Sequence, residues 1–501
     1  MRKWIPLVAV CLGTFMLLLD VTIVIVALPR MAAALHTPLS GLQWVIDAYA
    51  LVLASLLLTA GSLADRAGRR RVFVAGLGIF ALGSLGCGLA PTVWLLVAAR
   101  ALQGIGGATM FATTLSLIGA TYHGRDRGTA LSVWSAVAGA AAAIGPLAGG
   151  VITETVGWRW IFLVNLPVCA IAVALVLTSM TESRLAHRGR LDIGGMVALV
   201  VAASATTYAI IAGGEDGGLS VRTLASLAVA AAGLGALVWW ENRASDPMLD
   251  LRLFRRPAFV GVLVAGVALQ AGAFTVLPYT SVWLQSVLGL SALQAGLIQF
   301  PLSVMSFVVP LAFGRWLHRF PHRDVIAVAL LAVAAGAFGQ AVISGGSAAW
   351  VILPGSLLVG VGVGMVGPVL AGAALAAAPP ERAGVAGAAM NTFRQLGLAL
   401  GVAVLGSVTA AGMAGALTGR VSDPLAVAQR LSSGTAETSV GGQLLREAFA
   451  AGLDAAYLVA GAVAAVGALA VFLLMRAKVS RAYASDSDIP EVPRSAAAPR
   501  S

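Results

Sequence analysis

Charge is scarce in this chain. Asp, Glu, Lys and Arg make up 11% of the 501 residues, against about one quarter in ordinary globular proteins. Hydrophobic residues make up 59%, and the mean hydropathy is +0.93. Such a composition excludes a soluble domain and makes lipid the natural solvent. Cysteine is nearly absent: Cys11, Cys87 and Cys169 all fall in apolar stretches, which leaves neither a disulfide framework nor a metal-ligand spacing. The five histidines lie in loops or at the ends of apolar stretches, which argues against a haem protein or a metal-dependent membrane enzyme. No phosphate-binding loop of the P-loop type occurs, so ATP is not the energy source. Lysine is rare, 2 against 30 arginines, yet the net charge is +11. The basic residues are scattered over short segments rather than gathered on one face, so they read as topology signals and anionic-lipid contacts, not as a nucleic-acid surface.

What the chain has is apolar length. Crossing a hydrocarbon layer about 30 Å thick takes about 20 helical residues. Stretches of that kind predict fourteen spans: 7–29, 45–64, 72–90, 93–115, 129–152, 160–180, 193–212, 222–240, 259–280, 294–316, 325–343, 350–375, 384–408 and 455–475. The first follows Arg2 and Lys3 but is too long for a signal peptide and carries an acid in its middle, so it counts as a span. With the N-terminus inside, cytoplasmic segments carry 24 Lys and Arg residues and outer segments 6. The positive-inside rule therefore places both termini in the cytoplasm of a multi-pass plasma-membrane protein.

Two carboxylates fall within these spans, Asp20 and Asp47. A charge at bilayer depth is costly unless paired or hydrated, so each is a functional candidate. Asp20 lies nine residues from the outer end of span 1 and Arg100 about seven residues into span 4 from the same side, so their depths match. Asp47 is expected in the outer turn of span 2, close enough for all three to share one outward-facing polar pocket. Desolvation and a neighbouring guanidinium push a carboxyl in opposite directions, so changing their contact switches it between proton capture and release. The alternatives are a buried pair that only joins helices, and for Asp47 a hydrated anion at a helix N-terminus. Asp454, at the mouth of span 14, enters the cavity if that span is shifted.

Repetition organises the rest. GSLADRAGRR at 61–70 and GRWLHRFPHR at 314–323 share Gly, Arg and Arg in register, 253 residues apart. A parallel duplication of six spans with two spans inserted between the copies accounts for the offset, an organisation that secondary transporters use to rock two bundles about a midplane site. The expected domains are a first bundle at 1–182, an inserted pair with linkers at 183–257, a second bundle at 258–476 and a disordered tail at 477–501.

The chain resembles a fourteen-span drug/proton antiporter of the major facilitator superfamily, of the EmrB/QacA type. The matching stretches are LDVTIVIVALP at 19–29, the loop at 61–70, RALQGIG at 100–106, GPLAGG at 145–150, WRWIF at 158–162 and DPMLDLRLF at 246–254. Two positions depart from that pattern: Ile25, where the family usually has Asn, and Ala141, where it often has Gly. The resemblance implies an all-α major facilitator fold, export of small lipophilic compounds in exchange for protons, and no cofactor beyond the proton gradient. The implied partners are a small-molecule substrate, protons and the lipid bilayer, without nucleic acid, and the chain is expected to be a monomer. Uptake symport on the same architecture remains an alternative; a receptor or enzyme lacks any site for its chemistry.

The residues themselves make Asp20, Asp47 and Arg100 the proton-coupling candidates and Asp65, Arg66, Gly68, Arg69 and Arg70 a cytoplasmic gate, since Asp65 faces the negative end of the span 2 dipole; a solvated turn is the alternative for that loop. Gly139, Gly145, Pro146, Gly149 and Gly150 form the antiporter signature; their plain reading is small-residue packing with a proline bend. Polar candidates for the cavity lining are Gln103, Gln270, Tyr279, Gln299, Asn391, Arg394 and Gln395. Span 1 and span 2 supply the acids and the second bundle none, so neutral or monocationic amphipaths are the expected substrates.

Overall fold

The computed structural model describes residues 2–183, 192–244, 247–317, 319–379, 382–432 and 442–475. Among them there are helices and no strands. Thirteen are long and apolar enough to cross a membrane, and a bent pair, Thr129–Ala141 with Ala143–Thr155, makes a fourteenth. The bend of 41° falls just before Pro146, whose missing N–H and bulky ring disturb the preceding turn.

The spans of the first bundle are Ile5–Leu35, Leu39–Ala67, Arg69–Leu89, Val93–Thr121, Gly124–Thr155 and Trp160–Ser179. The inserted pair is Ile193–Glu215 and Val221–Glu241, and the second bundle is Pro257–Val287, Ala292–Leu317, His322–Gln340, Leu353–Ala377, Ala383–Leu417 and Gly442–Leu474. They are numbered 1 to 14 in that order. Side-chain caps start several of them: Thr92 accepts from Leu95 N at 3.4 Å before span 4, and Asp192 from Gly195 N at 2.7 Å before span 7.

The duplication is visible in the packing. Span 3 packs on 4, 2 on 4, 1 on 5 and 1 on 6; eight spans later, 11 packs on 12, 10 on 12, 9 on 13 and 9 on 14. The two bundles meet through spans 5 and 10 and through spans 2 and 13, which are equivalent pairs under the same offset. Spans 7 and 8 pack on each other, and span 7 leans on spans 13 and 2.

The stretch at 247–254 ties the inserted pair to both bundles. Asp192 and Glu241 accept from the backbone N–H groups of Met248 and Leu249 at 3.0 and 3.2 Å. Thr59 of span 2 donates to the Met248 sulfur at 3.3 Å, and Asp250 pairs with Arg382 at the start of span 13.

Several expected boundaries move. Span 2 begins at Leu39, so Asp47 lies eight residues in, about 12 Å deep, and not in the outer turn. Span 13 continues to Leu417, and a short helix, Pro424–Ser432, follows it. Span 14 begins at Gly442 and not at 455, so 443–449 belong to its first two turns. Polar residues there interrupt the hydropathy but not the helix. Asp454 accepts from Ile343 N at 3.0 Å in the loop after span 11, outside the central cavity. Most of the linker expected at 181–192 and the tail at 477–501 lie outside the described residues.

Candidate functional site

Asp20 is the middle residue of span 1 and is 1% exposed. One carboxylate oxygen accepts from Arg100 Nη1; the other accepts from Gln103 Nε2 at 3.2 Å and Asn165 Nδ2 at 3.3 Å. Arg100 also donates through Nε to Val45 O at 3.0 Å and through Nη1 to Gln103 Oε1 at 2.9 Å, and its guanidinium lies 4.3 Å from the Tyr49 ring centre. Ser84 closes the ring, accepting from Gln103 at 2.7 Å and from Asn165 at 3.1 Å. Five spans of one bundle, 1, 2, 3, 4 and 6, thus surround a single charged pair, and both oxygens of its carboxylate have donors. Such a pair tolerates burial because its desolvation is offset by geometry and added hydrogen bonds.

Asp47 does not join it. Val45 and Tyr49 turn towards Arg100, whereas Asp47 shares the opposite face of span 2 with Gln43, and that face meets the second bundle. Asp47 is fully buried, and neither carboxylate oxygen has a hydrogen-bond partner among the described residues. The shared outward-facing pocket expected for Asp20, Asp47 and Arg100 is therefore replaced by two separate places: a closed network inside the first bundle and a lone carboxyl at the seam.

That seam is held by hydrogen bonds on the face opposite the chain ends. Gln43 Nε2 donates to Tyr279 Oη at 3.2 Å and to Val402 O at 3.3 Å, and Tyr279 donates to Val402 O at 2.5 Å. Gln285 Nε2 donates to Val26 O at 2.7 Å, and Leu293 N to Glu154 at 3.0 Å.

Between the bundles lies a cavity of about 140 Å³. Span 1 presents Leu17, Leu18, Val21, Thr22 and Ile25 to it, and Asp20 is not part of this lining. Of the polar candidates, Gln270, Asn391, Arg394 and Gln395 line it. The other three candidates lie elsewhere: Gln103 belongs to the Asp20 network, Tyr279 to the seam, and Gln299 is buried in span 10 away from this lining. Helical spacing fixed their depth but not their face.

The signature glycines are a packing device with two sides. A Cβ on Gly145 would run into Thr22 of span 1, and one on Gly149 would lie 2.7 Å from Ile23 O. On the other side, a Cβ on Gly150 would lie 2.7 Å from Ala292 O of span 10, and one on Gly139 2.8 Å from the Phe307 ring. Span 5 is pressed between span 1, which carries Asp20, and the opposite bundle. Gly149→Val is expected to lower turnover by about tenfold or more, since overpacking at a backbone contact forces the helices apart. The check is transport rate against membrane abundance; an unchanged rate would deny the contact between spans 1 and 5 a role in movement.

At the terminal face, Gly68 joins spans 2 and 3 with φ +105°. A Cβ there would lie 2.5 Å from the Glu182 carboxyl carbon. Glu182 accepts from the backbone N–H groups of Arg70 and Arg71 at 3.1 and 3.3 Å, an anion on the N-terminus of span 3. Arg69 N donates to Ser183 O at 3.1 Å, Arg69 Nη1 to Ser116 O at 3.4 Å and Arg70 Nη2 to Leu177 O at 2.7 Å, while Arg66 is exposed. These bonds hold the loop to spans 4 and 6 of its own bundle and not across the seam; the Asp65 side chain lies outside the described residues. Gly68→Val is expected to slow turnover by about tenfold while ligand Kd stays within about twofold, because strain at a positive φ costs about 1–3 kcal/mol at a loop remote from the cavity. Loss of affinity at full turnover would assign the loop to binding.

Asn165 and Ser84 escape the sequence reading. The available signal for Asn165 is a lone amide inside an apolar run.

The sequence pattern of the Major Facilitator Superfamily matches residues 10–402. The chain belongs to this superfamily. It is 36% identical to the multidrug resistance protein Stp of Mycobacterium tuberculosis over 414 residues, 82% of this chain and 77% of that one. It is 34% identical to the methylenomycin A resistance protein of Streptomyces coelicolor over 407 residues, 81% and 85% of the two chains. With the tetracenomycin C resistance and export protein of Streptomyces glaucescens it shares 31% over 512 residues, 98% and 95% of the two. The superfamily fold also relates it to the D-xylose–proton symporter, with a TM-score of 0.64 at 14% identity, covering 95% of this chain and 99% of that one. This superfamily member is a multi-pass membrane protein built as a transporter, not as an enzyme.

Proposed function

We propose that the protein exports small lipophilic compounds in exchange for protons, with both termini in the cytoplasm. The observation that carries this reading is the separation of charge from cargo. Asp20 sits in a sealed network, the cavity lies across span 1 from it, and span 1 is the wall between them. Protonating Asp20 neutralises the acceptor of Arg100, Gln103 and Asn165 and loosens the grip of spans 4 and 6 on span 1. A proton bound there shifts the same helix that lines the cavity and packs on the signature glycines. Asp47 is buried at the seam without a hydrogen-bond donor among the described residues, and in this reading it acts when the seam opens. The loop at 65–71 acts in this reading as a hinge clamped by Glu182 on the cytoplasmic side, in keeping with the bias of basic residues.

The relatives whose names record drug or antibiotic resistance support export as the direction. Everted membrane vesicles energised by an inside-acid gradient test it: a lipophilic dye should accumulate and leave when the gradient is collapsed. Accumulation that survives the collapse, or dye movement only down the proton gradient in the uptake sense, would reject the reading.

A further inference from the structure

The central cavity carries one formal charge among its described lining residues, and it is positive. Arg394 lines it together with Gln270, Asn391, Gln395 and Thr22, and no carboxylate does. Its guanidinium is poorly satisfied: Nη2 reaches Gln270 Oε1 only at 3.5 Å, and Nε has no acceptor among the described residues. The neighbouring amide of Asn391 is committed to Gly387 O at 3.1 Å. Asp20 is taken by Arg100, and Asp47 is not part of the lining. Asp47, the one carboxyl that the sequence leaves to meet a monocation, is therefore not placed against the cargo.

We propose that the cavity selects amphipathic compounds presenting an anionic oxygen, a carboxylate or a phenolate on a small aromatic or alicyclic frame, and that Arg394 reads that charge. The inference rests on the transport reading only in taking this cavity as the cargo site. A guanidinium offers a planar fork of donors that matches two oxygens. At bilayer depth an uncompensated charge is costly, so an anion gains by neutralising it, while a cation meets undiminished repulsion in a low dielectric. The apolar walls, among them Leu57, Phe111 and Phe274, suit the frame. A volume of about 140 Å³ suits one ring or two fused rings. The side chain is aimed by its surroundings as well: a Cβ on Gly266 of span 9 would lie 2.9 Å from Arg394 Cγ, so only glycine leaves the stem where it is.

The test is equilibrium binding to the full chain in nanodiscs, without any gradient, of three fluorescent probes on one frame: 2-naphthoate, its methyl ester and 2-naphthylmethylammonium. The acid should bind at least about tenfold more tightly than the amine, since a hydrogen bond to a charged group changes affinity by that order or more. In Arg394→Gln the two should come within about twofold while the ester is unchanged. Arg394→Lys should keep a weaker preference, and Gly266→Ala should reduce it without removing the charge. Equal or tighter binding of the amine to the unaltered protein, an unchanged ratio in Arg394→Gln, or failure of all three probes to bind would overturn the proposal. Because no proton gradient enters the measurement, a failure here is distinct from a failure of proton-driven export in vesicles.

Discussion

Asp20→Asn should reduce proton-driven efflux to the level of vesicles lacking the protein, with membrane insertion unchanged. The amide is close to isosteric but cannot exchange a proton near neutral pH, so the shift of span 1 loses its trigger. Insertion survives because Arg100 keeps Val45 O, Gln103 Oε1 and the Tyr49 ring. Efflux with the original pH dependence in this variant would remove Asp20 from coupling.

Arg100→Gln should lower the stability of the fold as well as abolish efflux. It leaves a buried carboxylate with only the amide donors of Gln103 and Asn165. Removing one partner of a buried ion pair costs about 3–5 kcal/mol, a large share of ordinary folding stability. The purified variant should therefore show a lower Tm and a lower yield. The double variant Asp20→Asn with Arg100→Gln removes both charges and should regain most of the Tm without regaining efflux. A double variant as unstable as the single one would mean that the two residues do not act as a pair, and a double variant that transports would mean that the pair is only structural.

Apolar length made the fourteen spans legible, because lipid permits few other ways to satisfy a backbone. Depth was legible too: counting residues from span ends put Asp20 and Arg100 at one level, and they meet. Facing was not. In span 2, positions 45 and 49 turn to one bundle and positions 43 and 47 to the other, and in a helix apolar on all sides no polar stripe marks the difference. Gln103 was misplaced for the same reason, being assigned to the cavity when it serves the Asp20 network. Helix ends were missed where polarity and helicity part company: span 14 starts at Gly442, through Gln443, Arg446 and Glu447. The role of the signature glycines was legible only as close approach; which helices approach, spans 1 and 10, required the packing.

The central claim is that cargo and proton compete through span 1, and proton release on ligand binding tests it most directly. Purified protein in weakly buffered detergent solution near neutral pH, with a pH-sensitive dye, would be mixed with 2-naphthoate, which carries no proton of its own there. Wherever Asp20 holds a proton in place of its pairing with Arg100, binding should expel that proton, so release should saturate with binding and be absent in Asp20→Asn even though the ligand still binds. Ligand binding without release, or the same release from Asp20→Asn, would contradict it.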